Sequence, residues 1–116
     1  PILRVIEASV PMPPTIAITA PGATNVSIQS NESFTIRFTG EIHEPGATGT
    51  IEVFYDLDNN VGNGFTIIED GLPVSTTSVP FPTDVPEGTY YIGATISDGI
   101  NDQVTVYADG KLSVTP

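Results

Sequence analysis

The amino-acid sequence predicts an all-β domain, a sandwich of short strands joined by turns. Eleven glycines and eleven prolines, together with many Ser, Thr and Asn residues, separate the apolar runs of this 116-residue chain, which is the composition of many short strands. Apolar and polar residues alternate in several of these runs, and none of the runs has a sustained helical period. The length suits one domain with its own core and is too short for two ordinary domains.

Strands are predicted where apolar side chains recur at every second position. The cleanest case is residues 33–39, where Phe34, Ile36 and Phe38 face one way and the polar residues between them face the other. The other predicted strands and edge segments cover residues 15–19, 26–28, 50–55, 65–68, 88–98 and 103–115. The last two form a hairpin, and Asp109-Gly110 predicts a bend or bulge in its second strand.

The charge of the chain is strongly negative. Fourteen Asp and Glu residues stand against three Lys and Arg residues, for a formal net charge of −11. Such a surface repels phosphate backbones and anionic lipid, so we expect no nucleic-acid partner. No apolar run reaches the roughly 18 residues that a spanning helix needs, so we expect no membrane insertion. A chain without Cys has neither a disulfide nor thiol chemistry.

Residues 1–13 are interpreted as a strand and a linker that precede the domain of residues 14–116. Apolar side chains on both faces predict that this strand is buried against a partner, through Ile2, Leu3, Val5, Ile6, Ala8 and Val10. Three prolines in residues 11–14 end the strand and form a stiff, extended linker. Because the chain begins with Pro1 and carries no leader sequence, we expect a processed chain or a segment of a longer one.

The segment from Glu87 to Ile92 is the most specific motif of the chain. It reads E-G-T-Y-Y-I and resembles the acidic-x-Gly-x-Tyr-x-Cys signature of the sixth strand of immunoglobulin domains. Ile92 stands at the cysteine position, so the chain is more similar to the disulfide-free, immunoglobulin-like (Ig-like) repeats of bacterial and archaeal extracellular proteins. The resemblance covers residues 14–116. It implies an Ig-like β-sandwich of about seven antiparallel strands, with residues 2–10 as an extra N-terminal strand, and a structural tyrosine corner at Tyr90.

The same resemblance implies an extracellular or cell-surface location and a structural role without catalysis. We expect a module of a fibre, pilus, surface layer or adhesin stalk, whose partners are other copies of itself or neighbouring Ig-like domains. Three partners for residues 2–10 stay open. The strand could pair at the edge of its own domain, be the last strand of a preceding module, or insert into a neighbouring subunit.

Five polar residues in two loops are the candidate metal ligands. In the Ig topology the loop that holds Glu41 and Glu44 emerges at the same end as the loop that holds Asp98, Asn101 and Asp102, and the linker arrives at this end. Carboxylate and amide oxygens are the ligands that Ca²⁺ prefers, so a structural Ca²⁺ at this junction is the one cofactor considered. Separate, solvated loop acids are the commoner arrangement, and this interpretation also stays open.

Two outward-facing tyrosines, Tyr91 and Tyr107, form the candidate ligand platform. They could stack on a glycan or form an interface, or they could only pack on each other across neighbouring strands. The alternative function is therefore a carbohydrate-binding module of a secreted enzyme, with an exposed aromatic row of Tyr91, Tyr107 and Phe54. In addition, Asn25 and Asn31 each fit the acceptor pattern for N-glycosylation.

Catalysis has little support in the sequence. His43 is the only His of the chain, and no nucleophile motif accompanies it. The acidic residues have no spacing that indicates the two facing carboxylates of a glycosidase. We therefore expect a protein that is not an enzyme.

Overall fold

The structure is a computed structural model that describes residues 11–58, 62 and 64–116. These residues contain nine strands and no α-helix. The strands are β1 (Thr15–Ala20), β2 (Val26–Gln29), β3 (Thr35–Glu41), β4 (Thr50–Asp56), β5 (Thr66–Pro73), β6 (Ser78–Pro80), β7 (Gly88–Ser97), β8 (Val104–Tyr107) and β9 (Leu112–Thr115). The prediction of an all-β fold is confirmed.

The strands are arranged in two sheets, as expected for a β-sandwich. The smaller sheet has the order β1-β3-β6 and is antiparallel throughout. The larger sheet has the order β2-β9-β7-β4-β5, and β8 also pairs with β7. Along one side β7 pairs with β4, and along the other it pairs first with β9 and then with β8. This central strand therefore holds the larger sheet together.

The core lies between the sheets and follows the alternation seen in the sequence. On β3, Ile36 and Phe38 are buried, and on β4, Ile51 and Val53 are buried in the same way. Ile16, Ile28, Val79, Phe81, Tyr90, Ile92, Ala94, Ile96, Ala108, Leu112 and Val114 complete the buried cluster. Since full burial of one large apolar side chain contributes about 1.5–3 kcal/mol, this cluster is the main source of stability.

The first and last strands of the sandwich are each broken in two, and the breaks lie against each other. After β1 the chain crosses to the larger sheet, where β2 pairs with β9 in parallel rather than antiparallel as expected. The N–H of Gly110 donates to the carbonyl of Gly22 over 2.7 Å. A Cβ at Gly110 would lie 2.1 Å from the carbonyl oxygen of Thr24, so only glycine fits this approach. The predicted bend at Asp109-Gly110 is found here, between β8 and β9.

Two strands differ from the prediction. No strand was predicted in the proline-rich segment that contains β6, yet β6 pairs with β3. Pro80 is tolerated there because β6 is at the edge of its sheet. β5 continues past Asp70 to Pro73, where a turn was expected. A shift in its register with β4 and a φ of 67° at Gly71 accommodate this continuation as an irregularity within the strand.

Candidate functional site

The linker meets the domain at a group of four residues that we call the junction cluster: Met12, Glu44, Asp98 and Asn101. The side-chain amide of Asn101 lies at its centre. This amide donates to the carbonyl oxygen of Met12 at 3.1 Å and to Oδ2 of Asp98 at 2.7 Å. It also lies 3.3 Å from Oε1 of Glu44. Pro14, two residues after Met12, is fully buried. The linker is therefore bonded at Met12 to the β7–β8 loop, whose Asn101 also contacts the β3–β4 loop.

Asp98 gives the junction cluster its rigidity. Its side chain is buried, and Oδ1 accepts the backbone N–H groups of Ile100 at 2.9 Å and of Asn101 at 2.7 Å. The hydrogen bond from the Asn101 amide, followed by these two backbone hydrogen bonds, lowers the pKa of Asp98 below its ordinary value. A carboxylate that caps its own loop in this way fixes the turn on which Asn101 is presented.

The structure brings together three of the five candidate metal ligands, namely Glu44, Asp98 and Asn101. Glu41 lies instead beside His43, with 3.8 Å between Oε2 and Nε2. Asp102 is exposed. Within the described residues there is no group of three or more His, Cys, Asp or Glu side chains that could hold a metal ion. At the junction cluster an amide donor occupies the space between the carboxylates, which is where a shared cation would bind.

His43 supports the first strand of the domain. Its Nε2 lies 2.9 Å from Oγ1 of Thr15, the first residue of β1. Glu41 and Thr15 are also directly paired across β1 and β3. The only His of the chain is thus half-exposed and contacts a Thr and a Glu beside the point where the linker becomes a strand.

Tyr90 is buried at the start of β7, at the position that the resemblance assigns to a tyrosine corner. Its hydroxyl donates to the carbonyl of Pro86, four residues upstream. Its ring packs edge-on against Tyr55, at 5.3 Å between centroids, and lies 5.9 Å from the ring of Phe81. Burial, and then the neighbouring Tyr55, raises the pKa of the Tyr90 hydroxyl. The contacts of this tyrosine are thus with the core and with the backbone upstream of β7.

The outer face of the larger sheet carries a second apolar group, the outer aromatic cluster of Phe54, Phe65, Tyr91 and Tyr107. Tyr91 and Tyr107 meet edge-on at 6.4 Å between centroids, and Tyr107 meets Phe54 edge-on at 5.6 Å. Lys111 places its Nζ 5.1 Å from the ring centroid of Tyr91, a cation–π contact. Both tyrosines are half-buried and Phe54 is fully buried. The expected exposed row is therefore absent at Phe54, because Phe65 and Tyr107 cover its ring.

Phe54 is buried on a face that normally meets solvent because its neighbour on β7 has no side chain. Gly93 pairs directly with Phe54, and a Cβ at Gly93 would lie 2.4 Å from two atoms of the Phe54 ring. The end of the ring therefore lies directly over Gly93, and Phe65 packs on the ring at 4.3 Å between centroids. Sequence reasoning missed this arrangement; the one signal for it is a glycine in the middle of the most regular strand.

Asp56 closes one side of the outer aromatic cluster. This residue is buried, and its Oδ2 accepts the hydroxyl of Tyr107 at 2.9 Å, while Oδ1 accepts the N–H of Asp58 at 3.3 Å. Burial, and then this contact with Asp56, raises the pKa of Tyr107. The hydroxyl of Tyr107 is thus directed at a structural carboxylate.

The remaining predicted sites are the glycosylation and interface residues. Asn25 and Asn31 are both exposed; Oδ1 of Asn25 accepts the N–H of Lys111 at 2.9 Å, and Asn31 has a φ of 69°. The predicted interface residues lie outside the described part of the chain: Ile2, Leu3, Val5, Ile6, Ala8 and Val10.

No protein-family model, curated protein or solved structure matches this chain. In the described residues, no helix has the length and apolar character to cross a membrane. Any functional conclusion therefore rests on the geometry of the junction cluster and of the outer sheet face.

Proposed function

We propose that this chain is an extracellular, non-catalytic structural module with an Ig-like fold. It joins other copies of itself, or neighbouring Ig-like domains, through its N-terminal strand and its ends, as in a fibre, a surface layer or an adhesin stalk. The observation that carries the proposal is the junction cluster, in which Asn101 fixes the linker to the end of the domain.

The strand arrangement supports the Ig-like part of the proposal. In that fold the first, second and fifth strands share one sheet, and the third, sixth and seventh share the other. Here β1, β3 and β6 correspond to the first group, and β4, β7 and the pair β8 and β9 correspond to the second. β5 extends the second sheet as in variable-type domains. The hydrogen bond from Tyr90 to Pro86 agrees with a tyrosine corner.

The junction cluster supports a role in which the orientation of neighbours matters. A linker that only separates two modules needs no contact with either of them. Here the carbonyl of Met12 is bonded to Asn101, Pro14 is buried, and the loop that presents Asn101 is capped by Asp98. Ordering each linker residue costs about 1–2 kcal/mol of conformational entropy, so these contacts favour a fixed direction for whatever precedes the domain.

Two of the edge strands in the described sheets, β5 and β6, oppose pairing with another domain side by side. β6 is an edge strand of only three residues and ends in Pro80. β5, the edge of the larger sheet, carries Glu69, Asp70 and Pro73. Acidic residues and prolines at sheet edges oppose lateral pairing between domains. The net charge of −11 adds to this repulsion.

The proposal places residues 2–10 on a preceding module or in a neighbouring subunit. It is tested by comparing the full chain with a variant that lacks residues 1–10, which keeps Met12 and the junction cluster. In sedimentation velocity over a concentration series, we expect the full chain to associate and the shortened chain to stay monomeric. If removal lowers the melting temperature but leaves association unchanged, the strand belongs to its own domain and the assembly role is wrong.

The alternative, a carbohydrate-binding module of a secreted enzyme, depended on an exposed row of Tyr91, Tyr107 and Phe54. These rings pack on one another, and the hydroxyl of Tyr107 is bonded to Asp56. They form a small apolar cluster rather than an open platform. The alternative is therefore not favoured by the residues on which it was based.

A further inference from the structure

A polar groove lies on the outer face of the larger sheet, on the side away from the core. It has a volume of about 370 Å³ and is formed by residues of β4, β5, β7 and β8 with two flanking loop residues. Its lining consists of Thr50, Glu52, Phe65, Asp70, Thr95, Ser97, Gln103 and Thr105. This volume falls in the range of small-molecule sites, and neither the junction cluster nor the proposed assembly role makes use of it.

The polar lining of the groove is rich in groups that bind hydroxyls. Four of its eight residues are Ser or Thr, one is Gln and two are carboxylates. The hydroxyls of Thr95 and Thr105 lie 2.8 Å apart across β7 and β8, which fixes two of them on adjacent strands. Hydroxyl and amide groups both donate and accept, whereas carboxylates only accept. The set therefore suits a ligand with many hydroxyl groups.

Charge restricts which hydroxyl-bearing ligands fit. Glu52 and Asp70 both line the groove, and no Lys, Arg or His does. Burial, and then the neighbouring charge of Asp70, raises the pKa of Glu52. Two like charges in one groove repel anionic ligands and are stabilised by donors such as hydroxyl groups.

Phe65 supplies an apolar wall at the end of the groove. It is 40% exposed, although one side of its ring packs on the fully buried Phe54. Because Phe54 is itself fixed over Gly93, the exposed side of Phe65 is presented on a rigid support. An aromatic ring held in this way binds apolar ligand surface at a low entropy cost. The apolar C–H face of a sugar ring is such a surface.

We propose that this groove binds a neutral oligosaccharide, with a sugar ring packed on Phe65 and its hydroxyl groups bonded to Glu52, Asp70 and the Thr95–Thr105 pair. The site lies on the sheet face and shares no residue with the junction cluster, although Ser97 and Gln103 flank the β7–β8 loop that holds Asp98 and Asn101. The module would then attach to a glycan surface while its ends join its neighbours.

The test is a titration of the full chain with soluble hexasaccharides, followed by NMR chemical shifts. Neutral gluco-, manno-, xylo- and N-acetylglucosamine oligomers are compared with oligogalacturonate and with de-acetylated, cationic glucosamine oligomers. We expect at least one neutral oligomer to shift the amides of β4, β7 and β8 at up to about 10 mM, a range that detects a Kd as weak as about 1 mM. Oligogalacturonate should not bind.

Three variants identify the groove. Glu52→Gln removes a charge next to Asp70 without changing the shape of the side chain, so it should fold and yet weaken binding at least about fivefold. Phe65→Ala should weaken binding by more. Ile67→Ala is the matched control, since Ile67 is exposed on β5, two residues after Phe65, but does not line the groove, and the binding of this variant should be unchanged. The proposal is wrong if no neutral oligomer binds, if only the cationic oligomer binds, or if Glu52→Gln binds as the wild type does.

Discussion

The side-chain amide of Asn101 donates a hydrogen bond to the backbone carbonyl of Met12 over 3.1 Å, although the two residues are 89 positions apart in the chain. The same amide contacts Asp98 and Glu44. One side chain therefore joins the linker to two loops at the end of the domain. This contact and the burial of Pro14 hold residues 12–14 of the linker against the end of the domain.

Replacing Asn101 by Ala should destabilise the domain. The substitution removes the hydrogen bonds from the Asn101 amide to Met12 and Asp98, and one intramolecular hydrogen bond contributes about 0.5–1.5 kcal/mol to stability. For a domain of this size, each kcal/mol corresponds to about 4–8 °C of melting temperature. Thermal unfolding followed by circular dichroism measures the effect. Asp102→Ala, at an exposed neighbouring position, is the control and should melt as the wild type does; equal melting of both variants would contradict the role assigned to Asn101.

The contribution of Asp98 to stability should depend on pH in one direction. Its pKa is lowered in the folded state, first by the Asn101 amide, so the unfolded chain takes up the proton first as the pH falls. The stability that the ionised Asp98 provides is therefore complete above its unfolded pKa of about 3.9 and is lost as the pH falls below that value. Urea unfolding of the wild type and Asp98→Asn between pH 7 and pH 3 measures this. The wild type should have the higher free energy of unfolding at pH 7, and the difference between the two proteins should become smaller below about pH 4. A difference that does not change with pH would contradict the role given to Asp98.

Gly93→Ala should be costly although Ala has the higher intrinsic preference for a strand. The new Cβ would lie 2.4 Å from the ring of Phe54, which is fully buried and cannot move outward past Phe65. Overpacking of this kind costs about 1–3 kcal/mol. The double variant with Phe54→Leu supplies the control, because a smaller side chain leaves room for the methyl group. In the Phe54→Leu background, Gly93→Ala should lower the free energy of unfolding by at least about 0.5 kcal/mol less than it does in the wild type, as measured by urea unfolding. If the two substitutions lower this free energy additively, the two residues are not coupled.

Much of the fold followed from local patterns. The alternation in residues 33–39 and 50–55 placed Ile36, Phe38, Ile51 and Val53 in the core, where the structure has them. These patterns are informative because one face of each strand is buried and the side-chain period is two. The bend at Asp109-Gly110 could also be predicted, because a glycine after Asp is typical of a turn. In the structure Gly110 is required there, since the backbone of Thr24 leaves no room for a Cβ.

The parts that could not be predicted depend on residues far apart in the chain. Phe54 reads as an outward residue of β4, and only the absence of a side chain at Gly93, on a strand paired 39 positions later, allows its ring to be buried. β6 was missed because Pro80 and the prolines that follow it argue against a strand, and only the place of β6 at the edge of its sheet permits Pro80. The Asn101 contacts likewise span 57 and 89 positions, and no local pattern reports them.

Calcium should leave the domain unchanged. A cation shared by Glu44 and Asp98 would have to displace the Asn101 amide, which donates to Asp98 and lies 3.3 Å from Oε1 of Glu44. Oδ1 of Asp98 already accepts two backbone N–H groups. Millimolar Ca²⁺ should therefore shift the thermal midpoint by less than about 1 °C, whereas saturation of a real site at 100 times its Kd would add about 2.7 kcal/mol. If Ca²⁺ raises the melting temperature by several degrees and a chelator reverses this rise, the structural Ca²⁺ site expected from the sequence is present.

The most direct test of the account is the backbone order parameter of the Met12 amide, measured by ¹⁵N relaxation in the full chain. If the junction cluster fixes the linker, this value should approach the rigid-backbone value of about 0.85 in the wild type and fall below about 0.6 in Asn101→Ala. The amide of Thr19, inside β1, reports on the folded domain and should stay rigid in both. A Met12 amide that is already below about 0.6 in the wild type would mean that the linker is free, and the module could not orient its neighbour.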